Sequence, residues 1–128
     1  MSGLNLSNKI NKTILVIDDD EDILCVLDIL LQLAGFQPYL SRTGLPIEEV
    51  AAINPALIMT DVRISGYEKT GAELCKELKE HSETLSFPVI LISAEYELPK
   101  LAADSMADAY IAKPFDIDYV LSTVNRYF

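Results

Sequence analysis

Apolar positions along this chain follow two alternating rhythms. Short continuous runs rich in β-branched residues are separated by longer stretches in which apolar side chains recur every third or fourth position. Thr13–Asp18 (TILVID) has the composition of a strand buried on both faces, apolar throughout where a half-exposed strand would alternate. Glu21–Ala34 then reads as a helix with Ile23, Val26, Leu27, Leu30 and Leu31 facing inward, stopped by Gly35. Gln37–Ser41 is a weaker strand. Pro46 suits the first turn of a short helix through Ile53, which Asn54-Pro55 ends.

The rhythm repeats in the second half. Ala56–Asp61 (ALIMTD) predicts a third strand, and the glycine-marked loop Ser65–Gly71 leads into a helix through about Glu80. That helix has Leu74, Cys75 and Leu78 inside and Glu73, Lys76, Glu77 and Lys79 outside. Phe87–Ser93 (FPVILIS) is a fourth strand, Pro99–Ser105 a short helix, and Asp108–Ala112 a fifth strand. Asp116–Tyr127 closes the chain as an amphipathic helix built on Ile117, Val120, Leu121 and Val124. Five strands alternating with five helices predict an α/β fold, a doubly wound five-stranded parallel sheet with helices on both faces. Functional groups in such sheets gather beyond the carboxyl ends of the strands, near the switch in strand order.

Composition narrows the picture. A chain of 128 residues with 50% hydrophobic content has material for one domain with a real core, here expected over residues 13–128 behind a flexible polar segment, 1–12. Twenty Asp and Glu against ten Lys and Arg leave a formal charge of −10. Such a field repels phosphate backbones and anionic lipids, so neither direct nucleic-acid binding nor membrane binding is expected. Divalent cations and basic protein surfaces are the natural partners. Cys25 and Cys75 lack the spacing of a zinc site or a disulfide framework and read as reduced, buried core residues. The opening residues hold no apolar signal segment, and no apolar run approaches the roughly 20 residues that cross a bilayer. A cytoplasmic location is the expectation.

The strand ends carry the chemistry. The first ends in Asp18-Asp19-Asp20, the third in Asp61 and the fourth in Ser93, while Lys113-Pro114 follows the fifth. Each has an ordinary reading alone: an acidic helix start, a turn aspartate, a hydrogen-bonded serine, a solvated lysine. Together, on one edge of one sheet, they form a coherent set. Crowded carboxylates repel, and a hard divalent cation such as Mg²⁺ relieves that repulsion while keeping positions for water and phosphate oxygens. A carboxylate beside it can attack a phosphoryl group to give an aspartyl-phosphate. The ammonium and hydroxyl would stabilise charge on the transferring oxygens.

On these residues the chain resembles the receiver domains of two-component response regulators, over essentially 13–127. ILVIDDDEDI matches the acidic pair of the family's first strand, Asp18 and Asp19. ALIMTD matches the strand that delivers the phosphoacceptor, Asp61. VILISA places Ser93 at the family's switch Ser/Thr, and AYIAKPF places Lys113 at its lysine and Tyr110 at its rotating aromatic. The resemblance implies a flavodoxin-like (βα)5 fold and phosphorylation of Asp61 by a histidine kinase or a histidine phosphotransfer protein. It further implies Mg²⁺ (or Mn²⁺) held by Asp19, Asp61 and the backbone carbonyl of Arg63, with Asp18 acting mainly through bound water. Lys113 would contact the phosphoryl group, Ser93 would move to hydrogen-bond it, and Tyr110 would swing inward. The only chemistry catalysed would be the chain's own phosphorylation and dephosphorylation, so it is not expected to be an enzyme toward other substrates. With no further domain after the last helix, output is expected through a downstream protein target of a stand-alone receiver.

Departures from the family pattern predict local differences. Ser65 stands where the family run carries proline, and the stretch Gly66–Gly71 is slightly long, which predicts a more mobile loop beside the site. The segment between Ser93 and Lys113 is slightly short and contains Pro99, so the fourth helix should be brief. Met106 replaces the usual glycine before the fifth strand, predicting a different turn. Arg63 and Glu95 each lie two residues past a site residue and are expected to pair across Asp61 and slow water attack on the phosphorylated form. Two other readings compete: a phosphorylation-independent binding module on the same fold, and a haloacid-dehalogenase-like phosphohydrolase with Asp18 as nucleophile and Asp20 as acid/base. The second would leave Asp61 idle and lacks a later acidic strand.

Overall fold

The computed structural model describes residues 10–128. Ten elements alternate along the chain: β1 Thr13–Ile17, α1 Glu21–Leu33, β2 Gln37–Ser41, α2 Ile47–Ile53, β3 Leu57–Asp61, α3 Gly71–Glu80, β4 Val89–Ser93, α4 Leu98–Asp104, β5 Ala109–Ala112 and α5 Ile117–Asn125. The five strands form one sheet in the order β2-β1-β3-β4-β5, every adjacent pair parallel. The order reverses between β1 and β3, whose register places Ile17 beside Thr60. The residues that follow, Asp18 and Asp61, therefore leave the sheet side by side at the switch point.

Strand alternation divides the core into two layers. Ile14, Val16, Leu57, Met59, Ile90, Ile92 and Ile111 face α1 and α5 through Leu24, Leu27, Leu31, Val120 and Val124. Leu15, Ile17, Ile58, Val89 and Leu91 face the other way, against Val50 of α2, Leu74, Cys75 and Leu78 of α3 and Leu98 and Ala102 of α4. Burial on both faces explains why β3 and β4 are apolar without alternation; every residue in both is buried.

Side-chain direction differs from expectation in four places. The inward face of α1 is centred on Leu24, Leu27 and Leu31, with Ile23 and Leu30 partly buried against the same core, and Val26 is 44% exposed. Leucine, isoleucine or valine occupies so many positions of α1 that composition alone leaves its phase open. For the same reason Cys25 is exposed, while Cys75 is buried and donates to the Ser105 carbonyl. Ile117, the first residue of α5, is exposed at the helix start. Lys79 turns inward: its Nζ donates to the Phe87 carbonyl and to Asp108 Oδ2, each at 2.8 Å.

Two residues ahead of Thr13 make contacts with the rest of the chain. Asn11 Nδ2 donates to the Asn54 carbonyl, and the Lys12 carbonyl accepts from the Gln37 N–H. The rest of the segment expected to be flexible, residues 1–9, lies outside the described residues. The α4 helix is short as expected. Met106 adopts φ 64°, so the turn before β5 uses the left-handed backbone that glycine favours, with a methionine in it.

Candidate functional site

Three aspartates meet at the switch point. Asp18, Asp19 and Asp61 each offer a carboxylate oxygen, all within 4.8 Å of one another. Asp18 is held by the chain around it: its N–H donates to the Ser41 carbonyl (3.0 Å) and its Oδ1 accepts from the Asp20 N–H (2.9 Å). Asp20 points away from the cluster and caps α1, accepting from the N–H groups of Asp22 and Ile23. Asp61 sits at the end of a fully buried strand, 8% exposed.

Lys113 joins the two inner carboxylates. Its Nζ lies 2.9 Å from Asp18 Oδ2 and 3.3 Å from Asp61 Oδ2, and its backbone N–H donates to the Ser93 carbonyl. Burial pushes the Asp61 carboxyl above the usual carboxylate range, and the charge of Asp18 adds to the shift; Lys113 offsets only part of it. Asp19 moves the other way, because hydrogen bonding from Ser65 holds it down. For Lys113, burial works against the ammonium, but its hydrogen bond to Asp18 and the charge of Asp61 prevail and raise its pKa.

Ser93, buried at the end of β4, accepts through Oγ from the Glu95 N–H at 3.0 Å. The Glu95 carboxylate is paired with Arg63 Nε, so the expected pair forms across the mouth of the site. Asp61, Arg63, Ser93, Ala94, Glu95 and Lys113 together line a cleft of about 300 Å³. Tyr110 lies outside it on β5, 41% exposed. Of the residues singled out at the strand ends, all but Asp20 converge; Asp20 caps α1, and Tyr110 is an outward-facing neighbour.

Several contacts escaped sequence reasoning. The Ser65 N–H donates to Asp19 Oδ2 at 3.1 Å, so the long loop touches the acidic cluster directly. That loop, expected to be mobile, is fastened further along. The Tyr67 ring lies over Gly44 where a Cβ would sit, Lys69 Nζ contacts both oxygens of Glu77 at 2.9 Å, and Thr70 forms a capping box with Glu73. A Cβ on Gly71 would overlap the Asp61 carbonyl. The Arg42 guanidinium reaches Glu21 at 2.6 Å and the Asp19 carbonyl at 3.5 Å. Of these, the glycines at 44 and 71 were the visible signals.

The donor set suits a hard divalent cation: three carboxylates of like charge share one small space, with a single ammonium to balance two of them. Asp18, Asp19 and Asp61 are the residues that would hold it. Among the described residues no helix is long and apolar enough to cross a membrane.

Known proteins resemble the chain in sequence and in fold. The DNA-binding dual master transcriptional regulator RpaA of Synechocystis is 32% identical over 114 residues, which cover 87% of this chain and 46% of that protein. Sporulation initiation phosphotransferase F of Bacillus subtilis is 28% identical over 118 residues, covering 91% of this chain and 94% of that one. The chain thus spans about half the length of the first relative and nearly all of the second. In fold it is similar to the chemotaxis response regulator CheY4 of Vibrio cholerae, with a TM-score of 0.75 at 22% identity, covering 93% of this chain and 100% of that one. The family model for the response regulator receiver domain matches residues 14–125, and the chain belongs to that family.

Proposed function

We propose that Asp61 is the phosphoacceptor of a Mg²⁺-dependent receiver, taking its phosphoryl group from a phosphohistidine donor. Receiver domains are phosphorylated by histidine kinases or phosphotransfer proteins. The observation that carries the reading is Lys113, bound at once to Asp18 and Asp61 inside a cluster of three carboxylates. An Asp61 carboxylate oxygen attacks phosphorus, the phosphorus–nitrogen bond breaks, and the imidazole leaves with the bond's electron pair. Asp61 becomes an acyl phosphate. Lys113 then exchanges a carboxylate oxygen for a phosphoryl oxygen, and the Ser93 hydroxyl turns to donate to another.

Mg²⁺ held by Asp18, Asp19, Asp61 and the Arg63 carbonyl would supply positive charge where charge accumulates on the phosphoryl oxygens. Without it the approaching donor meets unshielded carboxylates. Arg63 and Glu95 stand at the mouth of the cleft, where they govern how water reaches the acyl phosphate. Tyr110, on the neighbouring strand, follows Ser93 inward and changes the surface around α4, β5 and α5. A new dianion thereby biases a two-state element, and a downstream protein reads the surface it favours. The chemistry is confined to the chain's own phosphorylation and dephosphorylation, and its two free cysteines suit the cytoplasm.

Intact mass after incubation with acetyl phosphate and Mg²⁺ tests the reading. One phosphoryl adduct on the wild type, and none on Asp61→Asn, is the expected result. No adduct from acetyl phosphate or from a phosphohistidine donor, while Mg²⁺ binds, would overturn it in favour of a phosphorylation-independent binding module.

A further inference from the structure

Arg63, Glu95 and Ser93 form an open chain of contacts along the cleft that Asp61 also lines. Arg63 lies two residues past Asp61 and lines the same cleft, its side chain pairs with Glu95, and the Glu95 N–H is held by Ser93 Oγ at 3.0 Å. Arg63 and Lys113 are the two cations among the residues lining the cleft. They differ in what holds them. Lys113 is committed to two buried carboxylates, whereas the Arg63 side chain is 81% exposed and tied to one carboxylate at the rim.

We propose that Arg63 is a phosphoryl-binding residue held in reserve by Glu95. This inference rests on Asp61 being the phosphoacceptor and goes beyond shielding of the site by an intact ion pair. A phosphoryl group on Asp61 places roughly −1.5 to −2 charges in the cleft. Its oxygens suit the planar fork of a guanidinium, which binds phosphate in two-pronged fashion. Glu95 offers only a single charge, and its pair with the exposed Arg63 side chain is weak. The Glu95 N–H rests on Ser93 Oγ, so the hydroxyl that donates to a phosphoryl oxygen is the same one that positions Glu95. Arg63 therefore leaves Glu95 for the phosphoryl group, and the Glu95 carboxylate is released at the start of the loop into α4. Glu95 acts as a positioning residue, through Arg63 alone.

The two ideas give opposite signs at Glu95. If the intact pair stabilised the phosphorylated state, loss of either partner would weaken it. If Glu95 competes for Arg63, its loss strengthens binding of a phosphoryl mimic. The probe is beryllofluoride with Mg²⁺, its affinity read from the bound ¹⁹F NMR signal. Arg63→Ala should weaken binding by about tenfold, the effect of losing a hydrogen bond to a charged group. Glu95→Gln should tighten it by roughly threefold, the scale of an exposed ion pair. The double variant should match Arg63→Ala alone, because Glu95 has nothing left to hold.

An unchanged affinity in Arg63→Ala overturns the proposal, as does a Glu95→Gln variant that binds equally or more weakly. Tightening that persists in the double variant overturns it too, since the effect would then be the general removal of negative charge. Absence of any bound signal in the wild type would instead overturn the assignment of Asp61 as phosphoacceptor, and this inference with it.

Discussion

Lys113 and Asp18 are 95 positions apart in the chain and 2.9 Å apart in the fold. Their contact crosses from the loop after β5 to the end of β1, over the Asp61 carboxylate between them. It makes one ammonium the counter-charge to two buried acids. Replacing Lys113 by Met keeps the stem and removes the charge. Phosphoryl adduct formation from acetyl phosphate should fall by about ten- to a hundredfold, the range for one hydrogen bond to a charged group. A time course of intact mass checks it.

The same crowding sets a pH dependence. Asp61 has its pKa raised in the folded chain by burial and by Asp18, so the folded state holds its proton more tightly than the unfolded one. The contribution of Asp61 to stability is then fully present below the unfolded carboxylate pKa and is lost as pH rises through the folded value. Asp61→Asn should melt higher than wild type at pH 7, by roughly 2–5 °C, and the difference should vanish near pH 3.5. Mg²⁺ should raise the melting temperature of wild type more than that of the variant. Thermal melts at the two pH values, with and without Mg²⁺, decide this.

Gly71 is required by close approach. Its N–H donates to the Val62 carbonyl at 2.8 Å, and a Cβ would run into the Asp61 carbonyl. Backbone cannot yield there without moving the phosphoacceptor. Gly71→Ala should cost about 1–3 kcal/mol in urea denaturation and lower phosphoryl uptake in the fraction that folds.

Met106 carries strain that a single substitution relieves. It is half-exposed with φ 64°, a conformation that costs a non-glycine residue of order 1 kcal/mol. Met106→Gly should stabilise the chain by at most about 0.5 kcal/mol, once the greater freedom of glycine in the unfolded chain is set against the relief. The denaturation midpoint should rise with an unchanged slope.

How legible the protein was in its sequence varied from residue to residue. The strands β3 and β4 were plain because burial on both faces leaves no polar position to interrupt the run. The acidic start of α1 and the brevity of α4 were visible because helix starts and prolines act locally. The facing of α1 was not: with aliphatic residues around most of the helix, only the sheet beneath it selects Leu24 over Val26. Lys79 looked like a surface lysine by spacing, yet the loop carbonyl of Phe87 and the distant Asp108 draw it inward.

The site divides along the same line. The order of the chain determined by itself which groups would stand at the strand ends, because a strand's last residue and the acid or hydroxyl there are local facts. Alternation of strand and helix then confined those groups to one edge. Only the tertiary structure decided how they engage. That Lys113 binds Asp18 as well as Asp61, that the Ser65 N–H holds Asp19, and that Ser93 Oγ already holds the Glu95 N–H depend on strand order, register and loop path. Those are settled by contacts between residues far apart in the chain, and local pattern carries no record of such distances.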